Sequence, residues 1–161
     1  MKVFLVRHAD ADAEVPEGLS DEARHLTSRA RVSIAGHFTG LAERIGTPAA
    51  ILMSPLVRAV QTAQILSMAL GYEGPVRVHR ALLPDMPVGA LDPLLVERSG
   101  PPLVLVGHQP SIGAMAAHLL GVASLQKPVT PGTVIGLELP EGAAAKLLFF
   151  ASPGQPLHVE S

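Results

Sequence analysis

The sequence predicts an α/β fold: a three-layer α/β/α sandwich on a mostly parallel, mixed central sheet. Short, continuously apolar runs rich in Val, Leu and Ile alternate with longer segments at helical spacing, and several runs stop abruptly at polar residues. The composition fits. Hydrophobic residues make up 48% of the chain, but aromatics only 3% and Trp is absent, so the core must be aliphatic, as in parallel strands buried on both faces. The chain has 161 residues, enough for one domain with a substantial core.

Taken in order, residues 3–6 form the first buried run and stop at Arg7-His8. Residues 9–25 carry Asp10, Asp12, Glu14, Glu17, Asp21 and Glu22 with Pro16 and Gly18, the composition of a solvated loop. A helix is expected from Leu26 to Ile45, with Val32, Ala35, Phe38, Leu41, Ala42 and Ile45 along it and Gly46 and Pro48 beyond its end. Residues 49–53 read as a second buried strand. Ser54-Pro55 then reads as an N-cap followed by Pro at the first helical position, opening a helix through Arg58, Thr62 and Leu66 that stops at Gly71. A short strand at 76–79 and a helix at 88–98, restricted by Pro93, follow. Residues 103–106 form a fourth buried strand, stopping at Gly107-His108-Gln109-Pro110 before an Ala-rich helix from Ser111 to Leu120. Residues 134–139 and 146–150 pair as late strands. The domain is expected to span 1–150, with 151–161 a loose tail.

Several function classes are disfavoured. A formal net charge of −2 gives no basic face for nucleic acid, and there is no basic amphipathic segment for a membrane surface. The chain has no Cys, which removes disulfides, thiolate chemistry and Cys-ligated metals. The N-terminal apolar run is too short for a signal peptide and no run reaches membrane-span length, so a soluble, cytoplasmic protein is expected.

The chemistry concentrates at strand ends. Arg7-His8 ends the first strand, Ser54-Pro55 follows the second and sets Arg58 in the first turn of a helix, and Gly107-His108 ends the fourth. In open α/β sheets ligands bind beyond the carboxyl ends of the strands, so Arg7, His8, Arg58 and His108 can converge despite their separation in sequence. Guanidinium forks and helix N-termini suit phosphate, and a neutral imidazole can act as a nucleophile. Together they point to phosphoryl transfer.

With Val-Arg-His-Ala-Asp at 6–10, Leu26-Thr27, Ser-Pro-Leu-Val-Arg-Ala-Val-Gln-Thr-Ala at 54–63 and Val-Gly-His-Gln-Pro at 106–110, residues 1–150 resemble the histidine phosphatase (phosphoglycerate mutase-like) superfamily, and within it the short SixA-type phosphohistidine phosphatases. Ala9 and Ala30 stand where the family usually has Gly; neither change removes a functional group. The resemblance implies a phosphoglycerate mutase-like fold and a metal-independent phosphatase without a cofactor. It implies that His8 is the nucleophile that becomes phosphorylated, that Arg7 and Arg58 bind the phosphoryl oxygens, and that His108 completes the pocket as a donor. Larger members carry a general acid after the third strand. Here only Asp85 stands nearby, in Ala-Leu-Leu-Pro-Asp-Met-Pro at 81–87. Without a firm acid, phosphohistidine is the better substrate, because it releases imidazole, whose conjugate acid has a pKa of about 6.5.

The expected partner is thus a protein carrying phosphohistidine or, as the alternative, a small phosphorylated metabolite with Asp85 as general acid. A mutase reading is disfavoured by chain length. A metal site of His8, His108 and Asp10 and a non-catalytic binder of phosphorylated partners are the readings from other classes. An EF-hand loop at Asp10 fails, since its glycine and glutamate positions hold Val15 and Asp21. The second Arg-His pair, Arg24-His25, reads as plain surface, as do His37, His79, His118 and His158 as structural or surface groups.

Overall fold

The computed structural model describes residues 1–160. Its sheet has six strands: β1 (Lys2–Arg7), β2 (Ala50–Met53), β3 (Val76–Val78), β4 (Leu103–Gly107), β5 (Val134–Glu138) and β6 (Lys146–Ala151). Their order is β3-β2-β4-β1-β5-β6; the first four in that order are mutually parallel, β5 runs antiparallel to β1, and β6 antiparallel to β5. The helices are α1 (Ser28–Ile45), α2 (Val57–Ala69), α3 (Asp92–Glu97) and α4 (Ser111–Leu120).

Alternation along the strands divides the core in two. Phe4, Val6, Ile51, Met53, Val104 and Val106 face α1 and α2. Val3, Leu5, Leu52, Leu103 and Leu105 face α3 and α4. Because each central strand is covered on both sides, it reads as an unbroken apolar run rather than as an alternating one. This is the three-layer α/β/α sandwich with a mixed, mostly parallel sheet that the sequence predicts.

Local chemistry accounts for most boundaries. Thr27 caps α1, its hydroxyl accepting from Ala30 N–H at 3.0 Å. Gly121 ends α4 in the left-handed region at φ 72°, a conformation that costs glycine little. Four expectations need correction. The buried stripe of α1 is Ala30, Ile34, Phe38, Leu41 and Ile45, and Val32 points outward, 78% exposed. Ser54 does not cap α2: the helix starts at Val57 after Leu56, and the Ser54 hydroxyl turns inward. The expected helix over 88–98 is a 3-10 turn at Val88–Leu91 followed by the short α3, with Pro93 in its first turn, where the missing N–H does no harm. The chain beyond β6, expected as a loose tail, turns at Ser152 and returns so that Phe150 and His158 exchange backbone hydrogen bonds of 2.8 and 3.1 Å. Ser161 lies outside the described residues.

The register brings the chemistry together. Arg7 pairs with Gly107 and Met53 with Val106, so β1, β4 and β2 end side by side. The residues just past those ends continue the ladder: His8 N–H donates to Gly107 O and Ser54 N–H to Val106 O, each at 3.0 Å.

Candidate active site

Four side chains singled out in the sequence meet at this edge. The His8 and His108 rings lie 5.1 Å apart between centroids and are inclined by 60°. Both are buried, as is Arg58, whose side chain is only 7% exposed. Arg7 and Arg58 lie close enough to both histidines to repel their protonated forms.

Backbone groups hold each side chain. His8 Nδ1 sits 2.6 Å from the carbonyl oxygen of Ala9. A carbonyl only accepts, so the neutral ring carries its proton on Nδ1 and keeps a lone pair on Nε2. Ala9 is itself fixed, since its N–H donates to Thr62 Oγ1 at 3.0 Å while that hydroxyl donates to the Arg58 carbonyl at 2.8 Å. Arg7 Nη1 donates to the Val129 carbonyl at 2.8 Å, and Gly132 N–H is shared between the Arg7 and His8 carbonyls at 3.1 Å each. His108 Nε2 lies 2.8 Å from Ser54 Oγ.

Electrostatics keep both rings neutral. The His8 pKa is lowered to about 4, chiefly by burial; the Ala9 hydrogen bond opposes this, and the charges of Arg58, Arg7 and Arg24 add to it. The His108 pKa is lowered to about 3, again chiefly by burial, then by His8, Arg58 and Arg7, with Asp21 opposing. Burial also lowers Arg7 and Arg58 from their ordinary values, with Asp10 opposing at Arg7 and Arg24 reinforcing at Arg58. Three buried nitrogens at this spot have no protein partner: Arg7 Nε, Arg58 Nε and His108 Nδ1. Buried polar atoms are normally paired, so each of these leaves hydrogen-bonding capacity unused on a side chain of the site.

A comparison with known families names the architecture. The model of the histidine phosphatase superfamily (branch 1) matches residues 3–92, more than half of the chain. The chain belongs to the histidine phosphatase superfamily. A relative in Picosynechococcus, itself uncharacterized, is 34% identical over 157 residues, covering 89% of this chain and 87% of the relative. The structure of the protein histidine phosphatase SixA complexed with tungstate superposes with a TM-score of 0.81 at 25% identity, covering 95% of this chain and 97% of that one. A mycobacterial glucosyl-3-phosphoglycerate phosphatase shares the fold at a TM-score of 0.65 and 20% identity, over 91% of this chain and 96% of that one. This histidine phosphatase is therefore of the SixA type in fold.

The other residues considered from sequence fare differently. Asp85 lies on an exposed turn with φ 61° and makes no side-chain hydrogen bond or ion pair among the described residues. Its segment does cross the strand ends, with His79 N–H donating to Met53 O at 2.9 Å. Asp10 is exposed and touches the site only through its charge on Arg7. No three His, Asp or Glu side chains among the described residues gather as metal ligands.

The sequence reading missed three participants. Arg24, expected as surface, donates from Nε to Asp21 Oδ1 at 3.1 Å and bears on both His8 and Arg58. Asp21 carries the other half of that link, with its Oδ2 3.5 Å from Arg58 Nη2 and its carbonyl accepting from Arg58 Nη1 at 3.2 Å. The third is Ser54. A signal for Arg24 was present two residues on: Leu26 is buried and its N–H donates to Gln61 Oε1 at 2.8 Å, so the loop is anchored against α2.

Proposed function

We propose that this histidine phosphatase works through His8 as the nucleophile and acts on phosphohistidine in a partner protein. The observation that carries the reading is the pairing of His8 Nδ1 with the Ala9 carbonyl, which leaves the Nε2 lone pair free on a ring held neutral beside the buried Arg58 and the half-buried Arg7. In the first step Nε2 attacks phosphorus and the bond to the leaving group breaks. Arg7 and Arg58 bind the equatorial oxygens, and His108 donates to the phosphoryl group as charge builds. In the second step water attacks phosphorus, the His8 Nε2–P bond breaks, and inorganic phosphate leaves. No metal or cofactor is required by these steps.

The substrate class follows from proton supply. Asp21 is already engaged by Arg58 and Arg24, and Asp85 is exposed on its turn. A departing alkoxide needs a proton donor, whereas a phosphohistidine ring already protonated at its other nitrogen leaves as neutral imidazole, whose conjugate acid has a pKa of about 6.5. The whole-length likeness to SixA, a protein histidine phosphatase, supports the same choice. The alternative, a small phosphomonoester, is supported by the fold shared with a glucosyl-3-phosphoglycerate phosphatase, and it requires Asp85 to turn inward as general acid.

Brief mixing with labelled substrate and acid-free quenching should place acid-labile phosphate on His8, and His8→Ala should abolish turnover while the chain stays folded. Label on another residue sinks the mechanism. Turnover should survive exhaustive chelation. Asp85→Asn should leave phosphohistidine hydrolysis unchanged; a large loss on a phosphomonoester accompanied by a higher intrinsic rate on that ester would instead favour the alternative substrate.

A further inference from the structure

We propose that Ser54 is a positioning residue that sets the tautomer of His108, holding the ring proton on Nδ1 so that it points at the transferring phosphoryl group. The inference rests on the phosphatase reading and names the residue on which His108 depends within it.

Hydrogen-bond valence at Ser54 selects the tautomer. A serine hydroxyl has one proton to give and two lone pairs. Ser54 is fully buried at the end of β2, and its backbone is pinned to β4 by the 3.0 Å bond from its N–H to Val106 O. One lone pair of Oγ accepts the Leu56 N–H at 3.3 Å. The only other hydrogen-bond partner of Oγ among the described residues is His108 Nε2 at 2.8 Å. If Nε2 carried the ring proton and donated it, the serine's own proton would have no acceptor in a fully buried place. The bare Nδ1 would then present a lone pair to an anionic phosphoryl, which is repulsive. If the serine instead donates to Nε2, every group at Ser54 is satisfied and the proton sits on Nδ1.

That nitrogen is the one left without a protein partner. It is buried, and the ring lies against that of His8. The two histidines are thus oriented by opposite devices. A carbonyl makes His8 a donor at Nδ1 and frees Nε2 for attack, while a hydroxyl makes His108 an acceptor at Nε2 and frees Nδ1–H for donation. The choice matters because His108 is neutral in the fold, and only a neutral imidazole has two tautomers. Orienting a catalytic ring through its far nitrogen is a known way for an enzyme to fix which proton is offered.

The decisive measurement is a long-range ¹H–¹⁵N spectrum of the full chain labelled in histidine, at pH 7, with the His108 signals identified by their loss in His108→Gln. Wild type is expected to show a proton on Nδ1 and a bare Nε2. Ser54→Ala should release the ring to populate both tautomers and lower kcat on the order of 10- to 100-fold, the scale seen when a partner orienting a functional histidine is removed, with KM little changed. A wild-type His108 protonated on Nε2 overturns the proposal, as does a Ser54→Ala variant that keeps Nδ1–H as its sole tautomer. Should that variant fail to fold, the wild-type spectrum still decides. The spectrum needs no turnover: phosphate trapped away from His8 would end the phosphatase mechanism without touching the tautomer.

Discussion

Replacing Thr62 with Val should damage stability and turnover together, because one hydroxyl serves both. Val has nearly the shape of Thr, so little packing changes at this fully buried position. What disappears is the acceptor for Ala9 N–H at 3.0 Å and the donor to the Arg58 carbonyl at 2.8 Å. The carbonyl keeps its ordinary partner within α2, residue 62 lying four positions on, so its loss is small. The Ala9 N–H keeps nothing, and an orphaned buried donor costs about 1–3 kcal/mol. The carbonyl of the same residue, on the next peptide unit, fixes the His8 tautomer, so kcat should fall with stability. Thr62→Ser keeps the hydroxyl and should retain most of both. Urea denaturation of the two variants beside wild type measures the first quantity, and steady-state hydrolysis the second. A Thr62→Val protein within about 0.5 kcal/mol of wild type and equally active would refute the claim that α2 positions the nucleophile through Ala9.

Other expectations follow from the same geometry. Both site histidines are neutral in the fold, at about 4 and about 3, but take the ordinary value near 6.5 when unfolded. The unfolded chain therefore binds more protons below pH 6.5, so stability is full above that pH and declines as pH falls toward 4. Urea midpoints measured across that window should drop less steeply in His108→Gln than in wild type. Gly132→Ala should destabilise by about 2 kcal/mol or more, measured by the same denaturation, because φ is +84° and an added Cβ would crowd Ile34 Cδ1 and Pro153 Cγ. Arg24→Ala should weaken vanadate inhibition about 10-fold, equivalent to about 1.4 kcal/mol; unchanged inhibition would return Arg24 to the plain surface.

Much of this protein was legible in its sequence. The buried strands announce themselves as short aliphatic runs because both sheet faces are covered, and Gly46 and Gly71 mark helix ends through chemistry confined to a few neighbouring residues. Arg7, His8, Arg58 and His108 were selected because they sit at strand ends, and parallel strands put such ends on one edge. The errors share a cause. Val32 fits a helical period as well as Ile34 does, and only the placement of α1 on the sheet decides which faces inward. The helix read over 88–98 likewise breaks into a 3-10 turn and the short α3 because of how that segment packs.

Ser54 makes the division plain. Alone, Ser-Pro before an apolar helix is an N-cap signature, and nothing local contradicts it. Its actual partner is His108, 54 residues away, brought near because β2 and β4 are neighbours in the sheet. Arg24 and Asp21 likewise gain their meaning from Arg58, on a helix 37 residues beyond Asp21. The sequence by itself determined the buried strands and the four groups suited to a phosphoryl. Only the tertiary structure decided which nitrogen of each histidine is free, since that depends on hydrogen bonds between atoms that the order of residues does not place together.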